Sequence, residues 1–211
     1  MFFFRPKRKH VDLIVVGLGN PGPRYACSRH NLGFAVVDKL AGRWSDKKKW
    51  NTAQNYLYIE GRTHGKSFLI VKPTTYMNLS GNAIRRLGNK FELEPDRIIV
   101  IHDDLDVSYG KVKMKFGGSP AGHRGVNSIA GRLGTLDFHR LKLGIGLEGI
   151  KGGEHYVLEQ LSDEEWAEFE PAINLACDGL DVSIRDGVKE AQQFVNTHGK
   201  SLGEIEDNSR E

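Results

Sequence analysis

Two hydropathy rhythms alternate along the chain: short continuous apolar runs, and stretches with an apolar residue every three or four positions. The runs at 13–16, 98–101 and 141–145 are rich in branched residues, which predicts strands buried on both faces. Strands are also expected at 56–60 and 68–72, joined by Gly-Arg-Thr-His-Gly-Lys-Ser, and at 111–116, where lysines alternate with apolar residues. Helical spacing covers 32–44, with Phe34, Val36, Val37, Leu40 and Ala41 on one face. It returns at 82–91, with Ser80 as cap, and at 123–133. Further on, Ser162 and Glu165 form a capping-box pattern, Pro171 kinks or restarts the helix, and an amphipathic helix is expected over 182–195. Strands alternating with helices, apart from paired strands at 56–72 and 98–116, predict an α/β sandwich with a mixed sheet. No repeat or linker divides the chain.

Composition narrows the class. The 211 residues, 39% hydrophobic and 27% charged, suit a globular protein with a substantial core, and a net charge of +3 is compatible with a polyanionic partner. Cys27 and Cys177 form no disulfide framework, which points to a reducing cytosol. No apolar run approaches the ~20 residues that span a bilayer. The first residues place their charge after a very short apolar patch, the reverse of a secretory signal, so 1–11 read as a flexible basic extension. The polar tail over 199–211 is expected to be disordered. The triplet Lys47-Lys48-Lys49 reads as solvated.

The densest chemistry follows the first apolar run. Gly17-Leu18-Gly19-Asn20-Pro21-Gly22-Pro23 fixes a tight loop at a strand's carboxyl end, where ligands gather in α/β sheets. The spacing matches a dinucleotide fingerprint, but Pro21 and Pro23 bracket the third glycine and helical spacing resumes only at Leu32. A nucleotide-dependent oxidoreductase therefore lacks its required strand–turn–helix context, and no nucleotide cofactor is expected. The joint at 61–67 falls short of a P-loop in spacing and leads into a strand.

Four predicted strand-end loops each present a polar group: Asn20, His30, Asn78 and Asp103. An acid beside His30 would hold it as a general base near neutral pH. Asp103-Asp104-Asp106 resembles a magnesium site, yet no second carboxylate cluster completes it, and no zinc-ligand spacing occurs. Neither Ser28 nor Ser80 sits in a G-x-S-x-G elbow, leaving water activated by His30 as the simpler proposal. Lys113 and Lys115, on one face of their strand, form with Arg124 and Arg140 either a phosphate-reading face or a lysine-protected edge.

The loop at 17–22, with Tyr25, Arg29-His30-Asn31 and Gly33, resembles the opening signature of bacterial-type peptidyl-tRNA hydrolases. Pro73-Thr74-Thr75-Tyr76-Met77-Asn78-Leu79-Ser80-Gly81 is similar to their second signature, and 102–106 with Gly110 and Lys113-Met114-Lys115 to the third. Gly117-Gly118-Ser119, Gly122-His123 and Phe138-His139-Arg140-Leu141 continue the likeness, which covers about residues 12–200. The resemblance implies one three-layer α/β/α sandwich over 12–198, with a mixed, largely parallel twisted sheet. It implies hydrolysis of the ester between a peptide and the 3′-terminal ribose of tRNA, without metal or cofactor, by a cytoplasmic monomer. His30 is then the base, Asp103 its orienting acid, and Asn20 the positioner of water or substrate. Tyr25, Asn31, Tyr76, Met77, Asn78 and His123 are expected around the substrate, and Lys113, Lys115 and Arg140 at the tRNA phosphates. Position 124 departs from the family, which usually carries Asn there; Arg124 is expected to contact phosphate instead. A non-catalytic RNA-binding relative of the same fold, of the organellar splicing-factor type, is the alternative.

Overall fold

The first buried run forms β1 (Leu13–Gly17), every residue of which is enclosed. In the computed structural model, which describes residues 7–45, 49–146 and 153–201, β1 lies near the middle of a seven-stranded sheet. The other strands are β2 (Asn51–Ala53), β3 (Tyr56–Thr63), β4 (Lys66–Pro73), β5 (Ile98–Ser108), β6 (Val112–Phe116) and β7 (His139–Gly146). Their order is β2-β3-β4-β1-β5-β7-β6. The four central strands run parallel, and both edges are antiparallel. Helices α1 (Leu32–Trp44), α6 (Glu170–Arg185) and α7 (Val188–Ser201) cover one face; α2 (Ser80–Leu87) and α3 (Arg124–Leu133) cover the other. Two short helices, α4 (Glu154–Leu158) and α5 (Asp163–Ala167), precede α6. The layers are those of an α/β/α sandwich, each face of the sheet closing its own apolar core.

The hairpin at β3–β4 turns on His64 and Gly65, both at positive φ, as a two-residue loop requires. Other expectations need correction. β5 does not stop at Ile101 but continues through the acid cluster, because β7 pairs with it as far as Asp104 and again at Ser108. Nor are the strands of 98–116 paired: β7, buried on both faces, inserts between β5 and β6. Helix α2 spans Ser80–Leu87, and Ser80 lies inside it with its hydroxyl donating to Met77 O. The helix expected over 182–195 is broken at Gly187, whose φ of 125° ends α6 and starts α7. Pro171 restarts a helix, and the capping box of Ser162 and Glu165 opens α5.

Within the expected N-terminal extension, Lys9 bridges to Phe91 and Val11 is buried in the core beneath α2 and α3. Residues 1–6, 46–48, 147–152 and 202–211 lie outside the described residues. Among the described residues, no helix is long and apolar enough to cross a membrane.

Candidate active site

Parallel pairing brings the carboxyl ends of β4, β1 and β5 to one edge of the sheet, so the loops that follow converge. The loop after β1 carries Asn20, a 3-10 turn at Arg29–Asn31 carries His30, and the loop after β4 carries Asn78. Gly17 and Gly33 let α1 press against the strand ends: a Cβ at Gly17 would stand 2.3 Å from Gly33 O, and one at Gly33 2.5 Å from Ile101 O. That approach sets His30 beside Asp103 of β5.

The hydrogen bonds assign the protons. Asp103 is 3% exposed and faces His30 Nδ1 at 2.9 Å from each oxygen. Its Oδ1 also lies 3.1 Å from His123 Nε2. An ionised carboxylate only accepts, so both imidazole nitrogens donate. His123 caps α3, its Nδ1 accepting from Gly125 N at 3.2 Å and Val126 N at 3.3 Å, which leaves the ring proton on Nε2. Burial alone would raise the Asp103 carboxyl, but the two imidazoles outweigh it and hold the group far below the usual carboxylate range. His30 Nε2 is then the ring nitrogen left for the cavity.

Behind the loop, Asn31 is buried and turned away from that cavity: its Oδ1 accepts from Asn20 N at 2.8 Å and its Nδ2 donates to Asn20 O at 3.0 Å. It positions Asn20 and lines an adjoining cavity with Asn20 and Phe34, where the chamber containing His30 has Asn20 alone of the three. Asn20 Oδ1 in turn accepts from Met77 N at 2.8 Å, which aims the amide NH₂ away from the backbone. Asn20, Met77, His30, Asp103 and His123 share a cavity of about 560 Å³, with Tyr25, Tyr76 and Asn78 on its walls. Tyr76 is 58% exposed and Leu105, across the chamber, is 40% exposed, an apolar rim around a polar floor.

The basic residues divide. Lys113 and Lys115 are exposed on β6. Arg140 pairs with Lys115 in register but is fully buried, its guanidinium donating to the carbonyls of Gly117, Gly118 and Ser119. Its Nη2 and Lys115 Nζ flank the same residue, Gly118, and its Nε has no partner among the described residues. Arg124 stands at the cavity mouth in a forked pair with Glu154 of α4. Two participants escaped the sequence reading: Glu154, on a five-residue helix too short for a periodic signal, and Lys142, which lies opposite Lys113 and pairs with Asp104 at 2.5 Å. The β7 alternation that placed Leu141 and Leu143 inward could have flagged Lys142.

Asp104 is held by Lys142 and accepts from Asp106 N, so the acid cluster is internally matched. One nitrogen of His30, one of His123 and an oxygen of Asp103 lie within 4.8 Å of one another, and the hydrogen bonds just described account for all three.

Known proteins resemble this chain in sequence and in fold. The family model described as peptidyl-tRNA hydrolase matches residues 14–203. A peptidyl-tRNA hydrolase from Thermodesulfovibrio yellowstonii is 43% identical over 186 residues, 87% of this chain and 98% of that protein. One from Mycolicibacterium smegmatis is 42% identical over 185 residues, 87% and 97% of the two chains. The crystal structure of peptidyl-tRNA hydrolase from Acinetobacter baumannii superposes with a TM-score of 0.80 at 30% identity, covering 89% of this chain and 97% of that one. With nearly the whole length matched in sequence and fold, the chain belongs to the peptidyl-tRNA hydrolase family.

Proposed function

We propose that the protein hydrolyses the ester joining a peptide, or an N-blocked amino acid, to the 3′-terminal ribose of tRNA, recycling tRNA from prematurely released peptidyl-tRNA. The observation that carries this reading is the His30–Asp103 pair, in which the carboxylate takes His30 Nδ1 and leaves Nε2 for a cavity of substrate size. His30 Nε2 takes a proton from water as the water oxygen attacks the ester carbonyl carbon. Asp103 stabilises the imidazolium that forms. Asn20, its backbone held by Asn31 and its amide oxygen by Met77 N, donates through Nδ2 to the developing oxyanion. Collapse of the tetrahedral species breaks the bond to the ribose oxygen, which recovers the proton from His30. Water has then supplied OH to the acyl group and H to the ribose, with no further reactant.

Tyr76 and Leu105 offer the rim that apolar peptide side chains meet, Tyr25 and Asn78 line the same chamber, and Lys113 and Lys115 supply charge for the tRNA phosphates. Every group in this scheme comes from one chain, which supports action as a monomer. The free thiols of Cys27 and Cys177 fit a reducing cytoplasm. The scheme draws only on residues within the domain over 12–198. His30→Ala should lower release of N-acetyl-amino acid from N-acetyl-aminoacyl-tRNA by ~10²–10⁴ while tRNA binding persists. A variant with near-normal release would sink the mechanism.

A further inference from the structure

Among the described residues, four charged groups besides His30 and His123 line the cavity: Asp103, Asp104, Arg124 and Glu154. The histidines hold Asp103 and Lys142 holds Asp104, both deep in the floor. Arg124 and Glu154 stand at the mouth, each side chain 61% exposed. Arg124 Nη1 lies 2.8 Å from Glu154 Oε1 and Nη2 lies 3.1 Å from Oε2, so the guanidinium fork grips both carboxylate oxygens.

Helix α4 has a separate anchor on its buried side. Arg29, 5% exposed, donates through Nη1 to Tyr156 O at 3.1 Å and Glu159 Oε2 at 2.7 Å, and its guanidinium stacks 4.0 Å from the Tyr156 ring centre. Tyr156 itself donates its hydroxyl to Ile145 O at 2.8 Å. The pair on the open side is therefore free to exchange while α4 stays docked. Exposed ion pairs are weakly held, so exchange costs little. A phosphodiester presents the same two-oxygen edge to a guanidinium as a carboxylate does.

We infer that Glu154 occupies, in the free protein, the place of a phosphodiester from the RNA end of the substrate. This rests on the tRNA-ester reading above. Glu154 keeps Arg124 extended across the mouth; the arriving phosphate takes the fork and releases the carboxylate. Arg124 is thereby a specificity-determining residue that favours acyl esters of RNA over acyl esters without a phosphate, and Glu154 sets the threshold for its engagement.

The test compares two substrates, N-acetyl-aminoacyl-tRNA and the same acyl ester of adenosine, which has no phosphate. Glu154→Gln should lower KM for the tRNA ester about two- to fivefold, the range an exposed pair supports, and leave KM for the adenosine ester in place. Arg124→Ala should raise KM for the tRNA ester and reduce the slope of log affinity against log salt by ~1. In the Arg124→Ala background, Glu154→Gln should add nothing. The same gain in that background would reveal simple charge repulsion and overturn the exchange. Equal shifts on both substrates would reduce the pair to a structural brace, and an Arg124 effect that follows acidic residues in the acyl group would move the anion to the peptide; either result overturns the assignment. Wild-type protein that releases nothing from the tRNA ester would refute the hydrolase reading instead, and the effect of Glu154→Gln on binding of uncharged tRNA would still decide the exchange.

Discussion

Replacing Asp103 by Asn isolates proton placement from packing, since the two side chains are nearly isosteric. In the native site the carboxylate receives two imidazole N–H groups, from His30 at 2.9 Å and from His123 at 3.1 Å. His123 cannot change tautomer without cost, because Gly125 N and Val126 N both donate to its Nδ1. It therefore claims the single acceptor that an asparagine offers at the Oδ1 position. The amide NH₂ then stands where Oδ2 faced His30 Nδ1, and donor meets donor. His30 escapes by moving its proton to Nε2, the nitrogen that has to accept from water. Loss of the base lowers turnover by ~10²–10⁴, or about 3–5 kcal/mol in the barrier. Single-turnover release from N-acetyl-aminoacyl-tRNA measures it, with tRNA affinity by filter binding and circular dichroism to confirm the fold. Turnover within tenfold of wild type in a folded variant would refute this assignment of protons, as would a loss confined to binding.

Asn31→Ala leaves Asn20 N and O without partners, so stability should fall by about 1–3 kcal/mol for each buried group, together with turnover; urea melts and unchanged turnover would show that the loop holds itself. Burial first, then the neighbouring His123, pushes His102 down to about 3. The unfolded chain consequently binds a proton near pH 6.5 that the native protein refuses, and stability should drop by about 2 kcal/mol between pH 7.5 and 5. His139, also lowered by burial, adds in the same direction, whereas the depressed Asp103 and Asp104 add only as pH falls toward and below the ordinary carboxylate value of 3.8. His102→Gln should remove the larger part of that slope, and a wild-type profile flat over the interval would mean His102 protonates in place. Replacing Lys113 and Lys115 together by Ala should weaken tRNA binding and cut the salt slope by ~2; an unchanged slope would make them protectors of the sheet edge.

Much of this was legible because local signals and tertiary placement agreed. Buried strands at 13–16 and 98–101 announce themselves as apolar runs, and polar residues in the loops after them are natural candidates for a shared site. The signal failed where a tertiary partner set the local structure. Polar His102, Asp103 and Asp104 look like the end of a strand, yet pairing to β7 keeps them within one. Asn31 looks like a ligand beside His30, but its amide complements the backbone of Asn20, a match that spacing does not reveal. Strand order was equally hidden, since β7 enters between two strands that precede it in sequence.

Arg140 shows how a misplaced charge still serves the chemistry. Its guanidinium, expected on the outside, is spent on the carbonyls of Gly117, Gly118 and Ser119, and the first two residues sit at φ of 62° and 92°. That clamp gives an irregular, glycine-rich segment a fixed exit from β6. Four residues past the clamped turn, His123 N donates to Pro120 O and the chain enters α3. The cap formed there orients His123, whose Nε2–H meets Asp103. Arginine, loop, cap and carboxylate form one physical succession that ends at His30 Nδ1. In this fold the buried cation of β7 holds the segment whose cap turns His123 toward Asp103.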